Sequence, residues 1–376
     1  MNELNSNDFR LIDLLKSILI ASFLGILLSH NLTFYLTEPL MRDQSVFIGS
    51  RYTITVDALD TIAGDEEISI VMIGSSMSYK AVDGLCISGG LEGTVKTYNL
   101  AQPASKPYTD MQHIPRIISS DPDIVMIEIS PDIISTPSSD SSIEYLQLRY
   151  KLDTMYQSNS DLGGWVDIVP PEYIEWVAKS DYERAKFRQE YVPGAIEEHL
   201  LRAILNENSG REEGLFGWVP SPGHDDWEHY LQTPIFPPDS YGLEGMTVEE
   251  LEEYNASKLL ESPWAEPASF GTLSHEALEY EINSLLNSGI QIVIITPAYH
   301  PRHLEFLTPG QWDGFNDTVA IYSEIEGITI FDQTWSQDTW THEDFYDRNH
   351  LDDDGRQKYC ELLIPTINEI LNGQAI

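Results

Sequence analysis

The stretch ISIVMIGSSMS at residues 68–78 decides the fold. Its first six residues form a short, unbroken apolar run ending at Gly74, which is how a strand buried on both faces reads. Strands of that kind belong to parallel sheets flanked by helices. The next five residues, Gly74-Ser75-Ser76-Met77-Ser78, make a tight turn at the strand's carboxyl end, near a helix start. Ligands in such sheets bind beyond those ends, so Ser76 is a candidate reactive hydroxyl, with a backbone amide beside it that can help hold an oxyanion. Alone, a Gly-Ser turn after a strand is common and usually structural.

Working outward, TVKTYNL at 94–100, DIVMIEI at 123–129, QIVIITP at 291–297 and ITIFD at 328–332 read as further buried strands. Between them, PYTDMQHIPRIISS has helical apolar spacing with an awkward Pro115, and LSHEALEYEINSLLNS at 273–288 reads as a helix stopped by Gly289. A helix near 317–325 and a last one from Asp353 to Leu371 complete the alternation. The sequence therefore predicts an α/β fold, a three-layer α/β/α sandwich with a mostly parallel sheet. The pattern lapses from Ser135 to Phe270, a stretch rich in Trp, Tyr, Pro and acid. This gives an N-terminal segment (1–45), a first half-domain (46–134), an insertion (135–270) and a second half-domain (271–376), with no internal repeat.

The 61 acidic residues against 21 basic ones give a formal net charge of -40 and no basic stripe, which argues against a nucleic-acid partner. Acid spread along the whole chain suits a salt-adapted or simply a highly soluble surface better than an acidic tail. Cys86 and Cys360 lack metal-type spacing, so they form either one disulfide in an oxidising compartment or two buried thiols.

From Ser17 to Leu28 the chain is apolar, and SHNLTFYL carries it weakly towards Leu36, approaching the roughly 20 residues of a membrane span. Arg10 and Lys16 precede it and only Arg42 follows closely, which puts the N-terminus in the cytoplasm and the bulk outside. A single-pass anchor is the expectation; a cleaved signal peptide and a buried core helix are the alternatives. The triplets beginning at Asn31, Asn255 and Asn316 fit an external location and also arise by chance.

Far from the first turn lies Asp347-Arg348-Asn349-His350-Leu351, followed by Asp352-Asp353-Asp354-Gly355 and the last helix. An imidazole is what takes a serine's proton, and a carboxylate on its other nitrogen fixes the tautomer; an Asp three residues before a His reaches it within one loop. The Asp run itself lacks calcium-loop spacing and is read as a helix cap, with no metal or other cofactor called for.

Taken together, the Gly-Ser-Ser turn after the first strand and Asp-x-x-His-Leu before the last helix resemble blocks I and V of the SGNH/GDSL hydrolase superfamily. The resemblance spans roughly 68–132 and 272–372 and implies a flavodoxin-like fold with Ser76, Asp347 and His350 as a catalytic set. The family's second block, Asn-Leu-Gly, is matched by Asn99-Leu100-Ala101, implying an oxyanion role for the Ala101 amide and a place in the site for Asn99. Its third block, Gly-x-Asn-Asp, is not matched: the loop reads Ser130-Pro131-Asp132, so the asparagine donor is missing and Ser130 is the candidate substitute. Loss of one oxyanion donor costs about 3 kcal/mol in the transition state. The Gly-Ser-Ser form, the anchor and Thr296-Pro297 after the fourth strand are similar to the membrane-anchored branch that includes alginate O-acetylation and D-alanyl-lipoteichoic acid transfer proteins. There His300 would line the pocket, or else be a locally bonded loop histidine.

The resemblance implies an extracytoplasmic esterase or O-acyltransferase, with an acyl donor, a glycan or other hydroxyl acceptor, and a membrane acyl-transfer partner. Trp165, Trp176, Trp218, Trp227 and Trp264 of the insertion would stack on sugar rings, or else form the insertion's own core. The rival reading is a non-catalytic, surface-anchored glycan-binding protein on the same fold.

Overall fold

The computed structural model describes residues 11–25, 52–64, 67–102, 105–131, 133, 163–170, 273–301, 309–336, 338–345, 347 and 349–373, plus isolated positions between 183 and 253. Five strands, β1 (Ile68–Ile73), β2 (Val95–Asn99), β3 (Ile124–Glu128), β4 (Gln291–Thr296) and β5 (Ile328–Asp332), form one sheet in the order β2-β1-β3-β4-β5. Every pairing is parallel. The apolar runs of β1, β3 and β4 demand this arrangement, because neither face of these central strands is fit for water.

Alternation along each strand divides the core in two. Val71, Ile73, Val125, Ile127, Ile292 and Ile294 face one buried cluster. It is completed by helices α2 (Tyr52–Ile62), α6 (Ile114–Ser120), α7 (Leu273–Asn287) and α8 (Pro309–Ser323). Ile70, Met72, Ile124, Met126, Val293 and Ile295 face the other, against α4 (Gly84–Gly90) and α9 (Asp353–Leu371). Each of these side chains, taken from water to under 3% exposure, contributes about 1.5–3 kcal/mol. The helices α3 (Ser76–Ala81) and α5 (Pro107–Asp110) are short and lie just after β1 and β2.

Two local expectations shift. Pro115 does not sit inside a long helix: α5, a 3₁₀ turn at Met111–His113 and α6 replace it, and Pro115 falls in α6's first turn, where no N–H is needed. The helix expected near 317–325 begins at Pro309, again with the proline at its start.

The membrane-spanning helix is not supported. Among the described residues no helix is long and apolar enough to cross a membrane. Residues 11–25 do form a helix, α1, starting ahead of Ser17 because Leu11, Ile12, Leu14 and Leu15 extend the apolar pattern. All fifteen of its residues are exposed. The continuation to Leu36 lies outside the described residues, as do Trp176, Trp218, Trp227, Trp264, Asn31 and Asn255.

The open question about the cysteines resolves as a disulfide. Cys86 of α4 and Cys360 of α9 are joined, 274 residues apart. That link ties the segment after Ser76 to the helix after His350, across the whole intervening chain.

Since β1 lies between β2 and β3, the chain crosses over β1 in passing from one to the other. The loops after β1 and β3 therefore diverge and leave a crevice at the sheet's carboxyl edge, the usual ligand position in a doubly wound sheet.

Candidate active site

Ser76 is the first residue of α3, placed by the turn at the end of β1. Ser75 caps the helix with extended backbone, its Oγ accepting from the Met77 amide at 3.1 Å. From this position Ser76 Oγ lies 2.8 Å from His350 Nε2, joining residues 274 apart in sequence. His350 Nδ1 lies 2.8 Å from Asp347 Oδ2 and 3.0 Å from Oδ1. A carboxylate only accepts, so in the neutral imidazole Nδ1 carries the ring proton, Nε2 is left with a lone pair, and the Ser76 hydroxyl donates to it. That is the orientation required for Nε2 to remove the serine proton.

Asp347 is held as an anion. Burial pushes its carboxyl up, but the His350 ring beside it and the amides of Asn349 and His350 outweigh burial and keep it below the ordinary carboxylate range. Those amides donate to Oδ1 at 3.0 and 2.8 Å, so a side-chain turn fixes Asp347 before the imidazole is considered.

The loop carrying both residues is closed at its neck. Phe345 and Leu351 form an antiparallel bridge, and the Asp352 amide donates to the Asp344 carbonyl at 3.1 Å. Asp344 Oδ2 accepts from the Thr341 amide at 2.7 Å, from Thr341 Oγ1 at 3.0 Å and from Lys358 Nζ at 2.9 Å. Burial raises the Asp344 carboxyl, and the Lys358 and Thr341 donors overcome that and lower it. A Cβ on Gly355 would collide with the Asp344 carbonyl, so the neck closes only over a glycine. Of the three successive aspartates, Asp352 caps α9 by accepting from the Gly355 amide at 2.9 Å, and Asp353 and Asp354 occupy its first turn. Among the described residues no cluster of three or more His, Cys, Asp or Glu could hold a metal ion.

Sequence reasoning missed Glu128, the last residue of β3. It is 1% exposed and lies under the Ser75–Ser78 turn. Its Oε2 accepts from the amides of Ser75 (2.7 Å) and Ser78 (3.2 Å) and from Ser78 Oγ (2.5 Å), while Oε1 accepts from Ser75 Oγ (2.9 Å). Burial holds its carboxyl above the ordinary carboxylate range, although the hydrogen bonds from Ser78 and Ser75 pull it down. The approach is close enough that a Cβ on Gly74 would lie 2.6 Å from Glu128 Cβ and Oε2, which explains the glycine. The clue in the sequence was an acid at the end of an otherwise apolar strand, a position tolerated only with partners. Lys80, one turn beyond Ser76 on α3, was also missed. Burial and the neighbouring Arg356 push its ammonium down to about 8, against the raising influence of Asp353 and Asp347.

The remaining candidates are placed differently from the three central residues. Asn99 is buried at the end of β2, its Nδ2 donating to the carbonyl of Val82 at 2.7 Å and more weakly to that of Ser78 at 3.2 Å. It therefore braces α3. The Ala101 amide donates to Asn99 Oδ1 at 3.1 Å, so its N–H is turned into its own loop. Ser130 is fully buried and its Oγ accepts from the Ile133 amide at 3.3 Å. His300 is 2% exposed, with Nε2 3.1 Å from His342 Nδ1 and its ring edge-on to Phe345. Trp165 is fully buried in a cluster with Tyr108, Met111, Val169 and Ala277, which makes it core in this place.

No family model matches the chain, and no curated protein matches it.

Proposed function

We propose that the chain is a serine acyl-ester enzyme of the SGNH type, an O-acyltransferase or esterase acting outside a membrane on a cell-envelope or secreted glycan. The observation that carries this reading is the 2.8 Å contact between Ser76 Oγ and His350 Nε2, with Asp347 on the other ring nitrogen. The sheet order 2-1-3-4-5, with Ser76 just after its first strand, supports the same assignment.

In the first half-reaction Ser76 Oγ attacks the acyl carbon as its proton passes to His350 Nε2. The tetrahedral oxyanion forms next to the Ser76 amide, and collapse expels the alcohol, which takes the proton back from His350. In the second half an acceptor hydroxyl gives its proton to His350 and attacks the acyl-serine, regenerating Ser76. Water as acceptor releases an acid; a sugar hydroxyl receives the acyl group. Asp347 orients His350 and stabilises the imidazolium that forms in both halves. No cofactor enters these steps.

An external setting is supported by the disulfide, which persists in oxidising compartments, and by the helix at 11–25, whose exposed side chains, Leu19 at 68% and Phe23 at 63% among them, suit a lipid environment. A membrane partner delivering the acyl group fits that location. Replacement Ser76→Ala tests the reading: hydrolysis of an activated acetyl ester should fall at least a thousandfold, and unchanged turnover would refute it.

A further inference from the structure

Glu128 takes no part in the proton transfers above, yet its carboxyl accepts four hydrogen bonds from Ser75 and Ser78, the residues on either side of Ser76 and Met77. The amides of this turn are divided among distinct acceptors. Those of Ser75 and Ser78 go to Glu128 Oε2, that of Met77 goes to Ser75 Oγ, and that of Tyr79 goes to the Ser75 carbonyl. Among the described residues the Ser76 amide donates to no group. A second amide offered by the sequence, that of Ala101, is already taken by Asn99.

We infer that Glu128 is a positioning residue for the acyl transfer: by gripping Ser75 and Ser78 on either side of the nucleophile it aims Ser76 Oγ at His350 and leaves the Ser76 amide as the donor to the oxyanion. The inference rests on the function proposed above. Oε2 receives three donors and has to be an acceptor, whereas Oε1 meets only Ser75 Oγ, a hydroxyl that accepts from Met77 and can still either donate its own proton or accept a second one. Glutamine can keep its oxygen at the Oε2 position and turn its nitrogen towards Ser75 Oγ, preserving the shape with a weaker, neutral acceptor. Alanine leaves two backbone amides buried without partners.

The outcomes are therefore graded. With a soluble activated ester, Glu128→Gln should lower kcat three- to tenfold and Glu128→Ala a hundredfold or more, both with KM within twofold of wild type. A merely structural role would instead lower the amount of folded enzyme, leaving kcat per active site, titrated with a fluorophosphonate, unchanged. If Glu128→Ala does not fold, Glu128→Gln decides alone: kcat equal to wild type at an unchanged melting temperature overturns the inference. Ser76→Ala measured in parallel separates the two levels. An inactive Ser76→Ala with a fully active Glu128→Gln sinks this inference only, whereas Ser76→Ala as active as wild type sinks the proposed function and this inference with it.

Discussion

Reducing the Cys86–Cys360 disulfide should destabilise the protein strongly and slow it as well. The bond closes a loop of 274 residues, and the chain-entropy estimate for a loop that long is about 5.6 kcal/mol. The geometry adds a kinetic consequence. Ser76 and His350 are separated by the same 274 residues as the two cysteines, so the disulfide runs parallel to the Ser76–His350 contact, ten positions further along on each side. Besides the disulfide, α4 and α9 are held by apolar packing and, at the N-cap of α4, by a partly buried Arg356–Asp83 pair at 3.9 Å, too long for a hydrogen bond. Urea titration of oxidised protein against reduced, alkylated protein measures the loss: with m near 3 kcal/mol/M the midpoint should fall by about 1.5–2 M. At low urea, where the reduced form is still folded, kcat should fall while KM stays constant. A midpoint shift below about 0.3 M would refute the chain-entropy argument, and an unchanged kcat would refute the claim that the clamp serves the site.

Three further outcomes follow from individual residues. Asp347→Asn places an amide where the imidazole needs an acceptor, so kcat should fall on the order of 10⁴-fold in steady-state assay, without loss of melting temperature. Gly355→Ala forces a methyl against the Asp344 carbonyl at the neck of the catalytic loop; thermal unfolding should show a loss of about 1–3 kcal/mol, with kcat reduced more than KM is raised. Glu281, 1% exposed on α7, is driven well above the ordinary carboxylate range by burial and then by Asp110. Below pH of about 4.3 both folded and unfolded chains hold its proton. Above that the unfolded chain releases it first, so wild-type stability falls with rising pH by up to about 1.4 kcal/mol per unit. Glu281→Gln should match wild type at pH 4 in denaturant titrations and exceed it at pH 7; equal stability at both would contradict the burial argument.

The central strands β1, β3 and β4 were legible because each is a nearly unbroken apolar run in a sheet covered on both faces, whereas the edge strands β2, with Lys96 and Thr97, and β5, with Thr329 and Asp332, read less plainly. The meeting of Ser76, Asp347 and His350 was legible for a related reason. Asp347 and His350 lie within one side-chain turn, and Ser76 follows a strand that can end only at the sheet's carboxyl edge. Glu128 was hidden by its own strand, where one acid among Ile, Val and Met counts as a minor break in periodicity; its meaning lies in Ser75 and Ser78, fifty residues away. The neck of the catalytic loop was hidden likewise, since Asp344, Lys358 and Gly355 acquire their roles only from each other's positions. Ala101 shows the limit of motif transfer: the N–H survives replacement of glycine, but the fold spends it on Asn99. The cysteines had no local signal at all, because their pairing depends on α4 and α9 packing side by side.

The central claim is that Ser76 is a nucleophile activated by His350, and covalent labelling tests it most directly. Incubation with a fluorophosphonate probe, followed by peptide mass spectrometry, should place one adduct on Ser76 in the wild-type protein. Ser76→Ala should give none, and His350→Ala should label at least a hundredfold more slowly. Absence of an adduct on folded wild-type protein, or equal labelling of the His350→Ala variant, would contradict the account.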